Sequence, residues 1–248
     1  MKNSNKKSQG SIIVTILLIL VGIIAVTIVG AFILNMVREN TQLNNVQVDL
    51  SIDPVGTFYD TASTLGLGNL NDNSNTIIRY NKFMNSDVAI SNHSKNLQVY
   101  YNEFINIYGM AFDAAGPSGS NSNVFNNTFY NVKTLVFGYG ETVDFKNNIV
   151  YNCTGTAFVG GKNINPDYNC YYQVKTFGIF NTGVHSIKTD PKFSDVSNLD
   201  LKLQSTSPCI NKGINLLVIY KDFDGHPTHK ESCVDIGAHE FVAISNSQ

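Results

Sequence analysis

Tyr101-Asn102-Glu103-Phe104-Ile105-Asn106 is one of five versions of a single phrase. The others are Tyr80-Asn81-Lys82-Phe83-Met84-Asn85, Asn126-Asn127-Thr128-Phe129-Tyr130-Asn131, Asn147-Asn148-Ile149-Val150-Tyr151-Asn152 and Tyr168-Asn169-Cys170-Tyr171-Tyr172-Gln173. Their shared Asn falls at 81, 102, 127, 148 and 169, so the spacings are 21, 25, 21 and 21. A fixed period near twenty residues marks a solenoid, in which each repeat is one turn of a coil.

Aligned on that Asn, the apolar positions fall into columns. Ile78, Val99, Val124 and Phe145 lie three residues before it. Phe83, Phe104, Phe129, Val150 and Tyr171 lie two after it, and Phe112, Phe137, Phe158 and Ile179 ten after it. These are β-branched or aromatic residues, which suit strands, and no 3.6-residue stripe runs through the region. Leu is scarce at the recurring positions, which removes a leucine-rich repeat. The expected fold is therefore all-β: a short parallel β-helix of about five coils, stacked ~4.8 Å apart. Asn tolerates left-handed backbone at a tight bend, and stacked amides can bond along a ladder. Asn85, Asn106, Asn131 and Asn152, finished by Gln173, are the expected asparagine ladder. The longer coil places its four extra residues between Asp113 and Asn123, in a Gly/Pro/Ser-rich surface loop.

Over residues 75 to 241 this pattern resembles the right-handed parallel β-helix (pectin-lyase-like) superfamily. A second stretch is similar to the closing segment of many secreted surface β-helix proteins. Its motifs are Asp190-Pro191-Lys192-Phe193, Leu199-Asp200-Leu201-Lys202-Leu203, Ser207-Pro208-Cys209-Ile210, Asp222-Phe223-Asp224-Gly225 and Asp235-Ile236-Gly237-Ala238-His239-Glu240-Phe241. The resemblance implies the fold far more than the activity, because the superfamily is functionally diverse.

Residues 12 to 34 are almost continuously apolar. At ~1.5 Å per residue they would span about 34 Å as a helix, enough to cross a bilayer core. Lys2, Lys6 and Lys7 precede them, which puts the N-terminus inside and the coils outside. The expected order is a basic leader (1–10), a hydrophobic helix (11–38), a connector and N-terminal cap (39–74), the coils (75–182), then a C-terminal capping segment and tail (183–248). In the connector, Val46 to Ile52 alternates as a strand, either capping the solenoid or starting an incomplete coil. Three readings of the N-terminus compete: a cleaved signal peptide, a plain signal anchor and a prepilin-type leader. The apolar run is long for the first and lacks a small-x-small site. For the third, Lys6-Lys7-Ser8-Gln9-Gly10 followed by Ser11 resembles archaeal type IV pilin-like proteins, with processing between Gly10 and Ser11. Thr15 stands where a bacterial pilin would carry Glu. The resemblance implies self-assembly into a filament; a plain anchor implies only the membrane as partner.

A formal net charge of −2 with only two Arg argues against nucleic acid as a partner. Four Cys permit disulfides outside the cell, with Cys209–Cys233 expected and Cys153–Cys170 in poor register; buried free thiols are the alternative. Of three glycosylation sequons, at Asn92, Asn126 and Asn152, the first is the expected acceptor.

The coil acids Asp87, Glu103, Asp113, Glu141 and Asp144 share no register, so no stacked acidic face of a lyase or hydrolase is expected and no catalytic residue is assigned. Asp222 and Asp224 ahead of Gly225 can mark a calcium loop, with an ordinary turn as the preferred alternative; calcium is the one cofactor to consider. Tyr100, Tyr108 and Tyr139 lie off the apolar columns and, with Asp113, are the candidate carbohydrate contacts, since exposed aromatics stack on sugar rings. The expectation is a surface-displayed module for adhesion or glycan contact. A minimal polysaccharide lyase or glycoside hydrolase and a purely structural filament subunit are the alternatives.

The intact mass of the membrane-extracted protein separates the N-terminal readings. Prepilin-type processing predicts a chain beginning at Ser11. A mass retaining Met1 or Lys2 would remove the filament reading.

Overall fold

The computed structural model describes residues 48–49, 57–59, 65–67, 76–92, 96–114, 120–160, 163–216, 221–228 and 233–243. The leader, the processing site at Gly10 and Ser11 and the apolar segment lie outside these residues. Among the described residues no helix is long and apolar enough to cross a membrane.

Short parallel strands repeat around the coil. The first rung is β1 (Val48–Asp49), β2 (Thr57–Tyr59) and β3 (Leu65–Leu67). The next is β4 (Thr76–Arg79), β5 (Lys82–Met84) and β6 (Val88–Asn92). Then follow β7 (Leu97–Tyr100) and β8 (Glu103–Ala114); β9 (Asn121–Phe125) and β10 (Thr128–Gly138); β11 (Thr142–Lys146), β12 (Ile149–Thr156) and β13 (Phe158–Gly160). The last full rung is β14 (Ile164–Asp167) and β15 (Cys170–Thr176), and β16 (Ile187–Lys188) stacks on β15 beyond it. One parallel sheet runs β1-β4-β7-β9-β11-β14 and a second runs β16-β15-β12-β10-β8-β5-β2. This is a parallel β-solenoid of about five coils. The connector contributes β1 to β3, so coiling begins before residue 75.

The register explains the columns. Phe83, Phe104, Phe129, Val150 and Tyr171 are successive partners on the inner face. Phe83, Phe104 and Phe129 stack at 4.9 and 4.6 Å with planes within 8°. Each such pair adds about 0.5–1.5 kcal/mol beyond burial. The third column differs from the sequence expectation. Ile90, Phe112, Val136 and Phe158 are the inward partners, while Phe137 pairs with Asp113 and lies half-buried in that non-core column. One extra residue at Tyr108-Gly109, opposite a register break at Lys133, shifts the count by one. Ile179, expected in the same column, is 80 % exposed; Phe177 and Phe180 pack against the core instead. The four extra residues of the long coil thus divide: one sits at this bulge and three in the loop before β9.

Two bends bracket each three-residue inner run. The residue before the repeat Asn is left-handed in every coil, at φ 51° to 59° (Tyr80, Tyr101, Asn126, Asn147, Tyr168). So is the residue four after it, at φ 54° to 61° (Asn85, Asn106, Asn131, Asn152, Gln173). The second set carries a half-buried ladder, in which Asn106, Asn131 and Asn152 each donate an amide to the previous coil's carbonyl oxygen at 2.8–3.2 Å. The repeat Asn itself builds another, fully buried ladder. In it the Oδ1 of Asn127 accepts both the backbone N–H and the side-chain amide of Asn102, and the Asn127 amide donates to the carbonyls of Val99 and Phe125. At Asn148 and Asn169 the Oδ1 again accepts the backbone N–H and amide of the preceding Asn, each amide donates to one carbonyl, of Val124 and Phe145, and the Ser186 hydroxyl accepts the last N–H.

The segment from residue 183 onward does more than close the end. It contains the antiparallel pair β17 (Phe193–Asp195) and β18 (Asp200–Leu203) around a turn that the Asp195 carboxylate caps. Phe193, Leu201, Leu203, Cys209 and Ile236 bury the outward residues Ile105, Ile149 and Cys170 of three coils. Gly237 N–H donates to the Asn147 carbonyl, and Asn126 donates to the Asp235 carbonyl. The segment lies along the flank because that strand wall is apolar on both sides, so its outer face needs a cover.

Replacing Asn127 with Ala would strand a buried N–H and two carbonyls. Urea denaturation is expected to show a loss of about 3 kcal/mol or more. Asn131→Ala, in the half-buried ladder, should lose about 1 kcal/mol, since water can substitute. Equal losses would refute this division of labour.

Candidate functional site

The repeat phrase puts an acid at Glu103, on the outward side of β8, where Lys82 is its neighbour in the preceding coil. Lys82 Nζ sits 2.6 Å from Glu103 Oε2. The closing segment inserts His239 beside this pair. His239 Nε2 is 2.8 Å from Glu103 Oε1, and Nδ1 is 2.8 Å from Asp224 Oδ2. Lys202 lies 3.6 Å from the other Asp224 oxygen. Burial opposes a charged His239, but the hydrogen bonds and charges of Asp224 and Glu103 outweigh it and lift its pKa to about 9. Burial likewise opposes the charge on Glu103, yet His239 and Lys82 hold it below its usual range; Asp224 is lowered by the same balance. The imidazolium between two carboxylates thus fastens the flank segment to the coils.

The other closing acids are consumed by backbone amides. Asp222 accepts from His226 and Glu240 N–H, Asp235 from Asn211 and Phe241 N–H, and Glu240 from Asp235 N–H. Burial, then repulsion from Asp235, pushes Glu240 up to about 8. Asp222, Asp224 and His226 each offer one ligand atom within 4.8 Å of the others. That set does not suit calcium, which takes six to eight oxygens, because one donor is an imidazole nitrogen and the Asp222 oxygens are already bonded. The loop is held as a turn by its own hydrogen bonds.

Above this network opens a cleft of about 720 Å³. Lys202, Gln204, Ser205, Asp224, His226, Glu240 and Phe241 are among its lining residues. Its mix of hydroxyl, amide, carboxylate and cation with an aromatic ring is the donor and acceptor set a sugar needs, and its volume suits a small ligand. Only Asp224 in this lining was singled out from sequence as a candidate. The hairpin of β17 and β18 that forms the wall has no repeat to announce it.

The sequence-predicted carbohydrate contacts do not form one patch. Tyr100 is buried, packed with Tyr101 and Phe125, and is withdrawn as a contact. Its column opposes Phe125 and is covered from outside by Leu216. Tyr108 is exposed at the bulge, five residues and roughly 15 Å before Asp113 along β8. Tyr139 is 66 % exposed and packs on Phe137, ring centroids 4.8 Å apart. The corner beside it turns at Gly160, φ 100°, where a Cβ would overlap the Gly138 carbonyl oxygen. Asp113 is half-buried: Oδ2 accepts the Ser91 hydroxyl at 3.2 Å and Oδ1 is buried without a partner.

Inside that corner Glu141 is buried, accepting from Ser122 and Asn92 while its Oε1 has no partner. Burial chiefly pushes it up to about 7, with repulsion from Asp113 adding to the effect. Asn92 is itself fully buried and donating to Glu141, so its sequon is closed to glycosylation in the fold, contrary to expectation. The Asn126 and Asn152 amides are also engaged as donors.

All four cysteines are free thiols. The expected Cys209–Cys233 bridge is not formed: Cys209 is buried, Cys233 is exposed, and the closing strand meets Cys209 at Ile236, three residues further on. Cys153 packs within the solenoid core and Cys170 in the flank cluster, on opposite sides of one wall, so they too do not pair. No protein-family model matches the chain, and no curated protein matches it.

Stability is expected to peak in acid, near pH 4.5 to 5, where the lowered carboxylates are fully ionised and the raised ones still protonated. Glu141, Glu240 and His239 all have raised folded values, so their contribution is complete at low pH and lost as pH rises through about 7, 8 and 9. Glu103 and Asp224 are lowered, so their contribution is lost on acidification below their ordinary values of 4.5 and 3.8. Thermal melts from pH 4 to 9.5 check this, and His239→Gln should flatten the alkaline limb. A stability that climbs from pH 6 to 9 would refute it.

Proposed function

We propose that this chain is an outward-facing module that contacts carbohydrate without catalysis. Its N-terminal apolar segment would hold it at the cell surface, in the membrane or in a pilus-like filament. The cleft against the closing segment carries the reading: it is concave, of sugar size, and lined by Lys202, Gln204, Ser205, His226 and Phe241. Tyr139 on its Phe137 base is a second aromatic platform, on another face. The order of the closing motifs supports reading the solenoid as right-handed and pectin-lyase-like.

One observation favours an enzyme of the same superfamily as the second reading. Asp224 and Glu240 line one cleft with their pKa values pushed apart, one held ionised and the other held up to about 8. Paired carboxylates divided in this way are the arrangement of a glycoside hydrolase. Against it, both side chains are bonded into the closing network.

A glycan array probed with the detergent-solubilised full chain tests both. Binding without turnover is expected, weakened about tenfold, some 1.4 kcal/mol, by His226→Ala or by a cleft-filling Ser205→Trp. Tyr139→Ala should leave it unchanged. Loss of binding in Tyr139→Ala alone would move the site to the aromatic corner. Reducing-end release abolished by Asp224→Asn or Glu240→Gln would establish the hydrolase, and no glycan bound would end both readings.

A further inference from the structure

Among the described residues two acids are buried in the coils, and only Glu103 has cations beside it. Glu141, between β10 and β11, is 2 % exposed and forms no ion pair among those residues. Its side chain is held from two earlier corners of the coil. Asn92, at the end of β6, donates an amide N–H to Oε2 at 3.3 Å, and Ser122, in β9, donates its hydroxyl to the same oxygen at 3.1 Å. Neither Asn92 nor Ser122 has exposed surface. The other Glu141 oxygen, Oε1, is buried without a hydrogen-bond partner. The column stacked on Asn92 continues as Ala114, Gly138 and Gly160, so small residues line the inside of this corner. A Cβ at Gly138 would meet only the Ile164 side chain, no nearer than 3.6 Å.

We propose that this corner is a calcium site, with the Glu141 carboxylate as its charged ligand and the oxygens of Ser122 and Asn92 as neutral ones. A carboxylate taken out of water needs a proton or a cation. Carboxylate, hydroxyl and amide oxygens are the donors of a hard cation rather than of zinc or copper. Oε1 is the oxygen with no other role. To share the ion, the Ser122 hydroxyl would turn its lone pairs inward and the Asn92 amide would turn over to present its carbonyl. Main-chain carbonyls of the corner and water would complete the six to eight oxygens that calcium takes. A single carboxylate is a low ligand charge, which sets the dissociation constant at about 10⁻⁴ to 10⁻³ M, as in extracellular modules. Magnesium demands a near-ideal octahedron and gives up its waters reluctantly, so it should not substitute.

Proton and calcium would compete for one carboxylate. Burial chiefly holds the Glu141 pKa up to about 7, and repulsion from Asp113, near the end of β8, adds to it. Asp113 is the other titratable group acting on Glu141 among the described residues, and its own Oδ1 is buried without a partner. Calcium would displace the Glu141 proton and offset that repulsion, so binding should release a proton below about pH 7 and tighten as pH rises through that value. The bound ion would fasten three successive corners of the solenoid beneath the exposed Tyr139.

The test uses the full chain in detergent, stripped of divalent ions with a chelator. At pH 8, about 10 mM calcium chloride is expected to raise the melting temperature by about 3–5 °C, and the same concentration of magnesium chloride by much less. Glu141→Gln keeps the shape of the protonated acid, and it should fold but lose the calcium response. Calorimetric titration of the wild type should show calcium affinity falling about tenfold from pH 8 to pH 6, with about one proton released per ion at the lower pH. No calcium response in the wild type at pH 8, an equal response to magnesium, or an undiminished response in Glu141→Gln would overturn the proposal. If that variant does not fold, the wild-type titration decides, and an affinity unchanged between pH 6 and 8 would overturn it.

Discussion

A coil that turns sharply three times in about twenty-one residues must find partners for the backbone groups it exposes at each corner. One side chain per turn does this here. Asn127 uses its carbonyl oxygen to receive an N–H and an amide from the coil below, and its amide to satisfy two carbonyls. No apolar residue could serve, and a longer Gln would not fit the same buried spacing. The left-handed residue immediately before it, Tyr in three coils and Asn in two, is strained backbone that this bonding holds in place. The phenylalanine stack two residues on then packs at the spacing the ladder imposes.

The second constraint follows from the first. A strand wall that is apolar inside and also carries Ile105, Ile149 and Tyr151 outside is insoluble unless covered. The closing segment covers it with the hairpin of β17 and β18, and Tyr151 packs tilted against Phe193, ring centroids 5.6 Å apart. His239 then pins the far end to Glu103, 136 residues away in sequence. Removing one member of such a buried trio leaves the others uncompensated, at about 3–5 kcal/mol. Asp224 thus stabilises the dock and lines the cleft at once.

The coils were legible because a repeat states its own register. Columns three residues before and two after the Asn agree with the observed pairings. The column ten residues after held at Phe112 and Phe158 and failed at Phe137 and Ile179. A single inserted residue at Tyr108-Gly109 leaves the pattern superficially intact but exchanges Phe137 for Val136 at the core. Tyr100 was misplaced for a related reason: position alone does not say that Leu216, from 116 residues later, will cover it.

That division bears on function. The coils spend their inner side chains on stacking, with two ladders of amides and columns of aromatics. The segment without periodicity supplies the concave surface and its mixed charges. In a solenoid of this length the repeats therefore act as a ruled scaffold, while the concave surface comes from the one stretch released from the rule. The His239 clasp means that the cleft exists only while that stretch is docked, so any condition that neutralises the imidazolium loosens the cleft wall and the fold together.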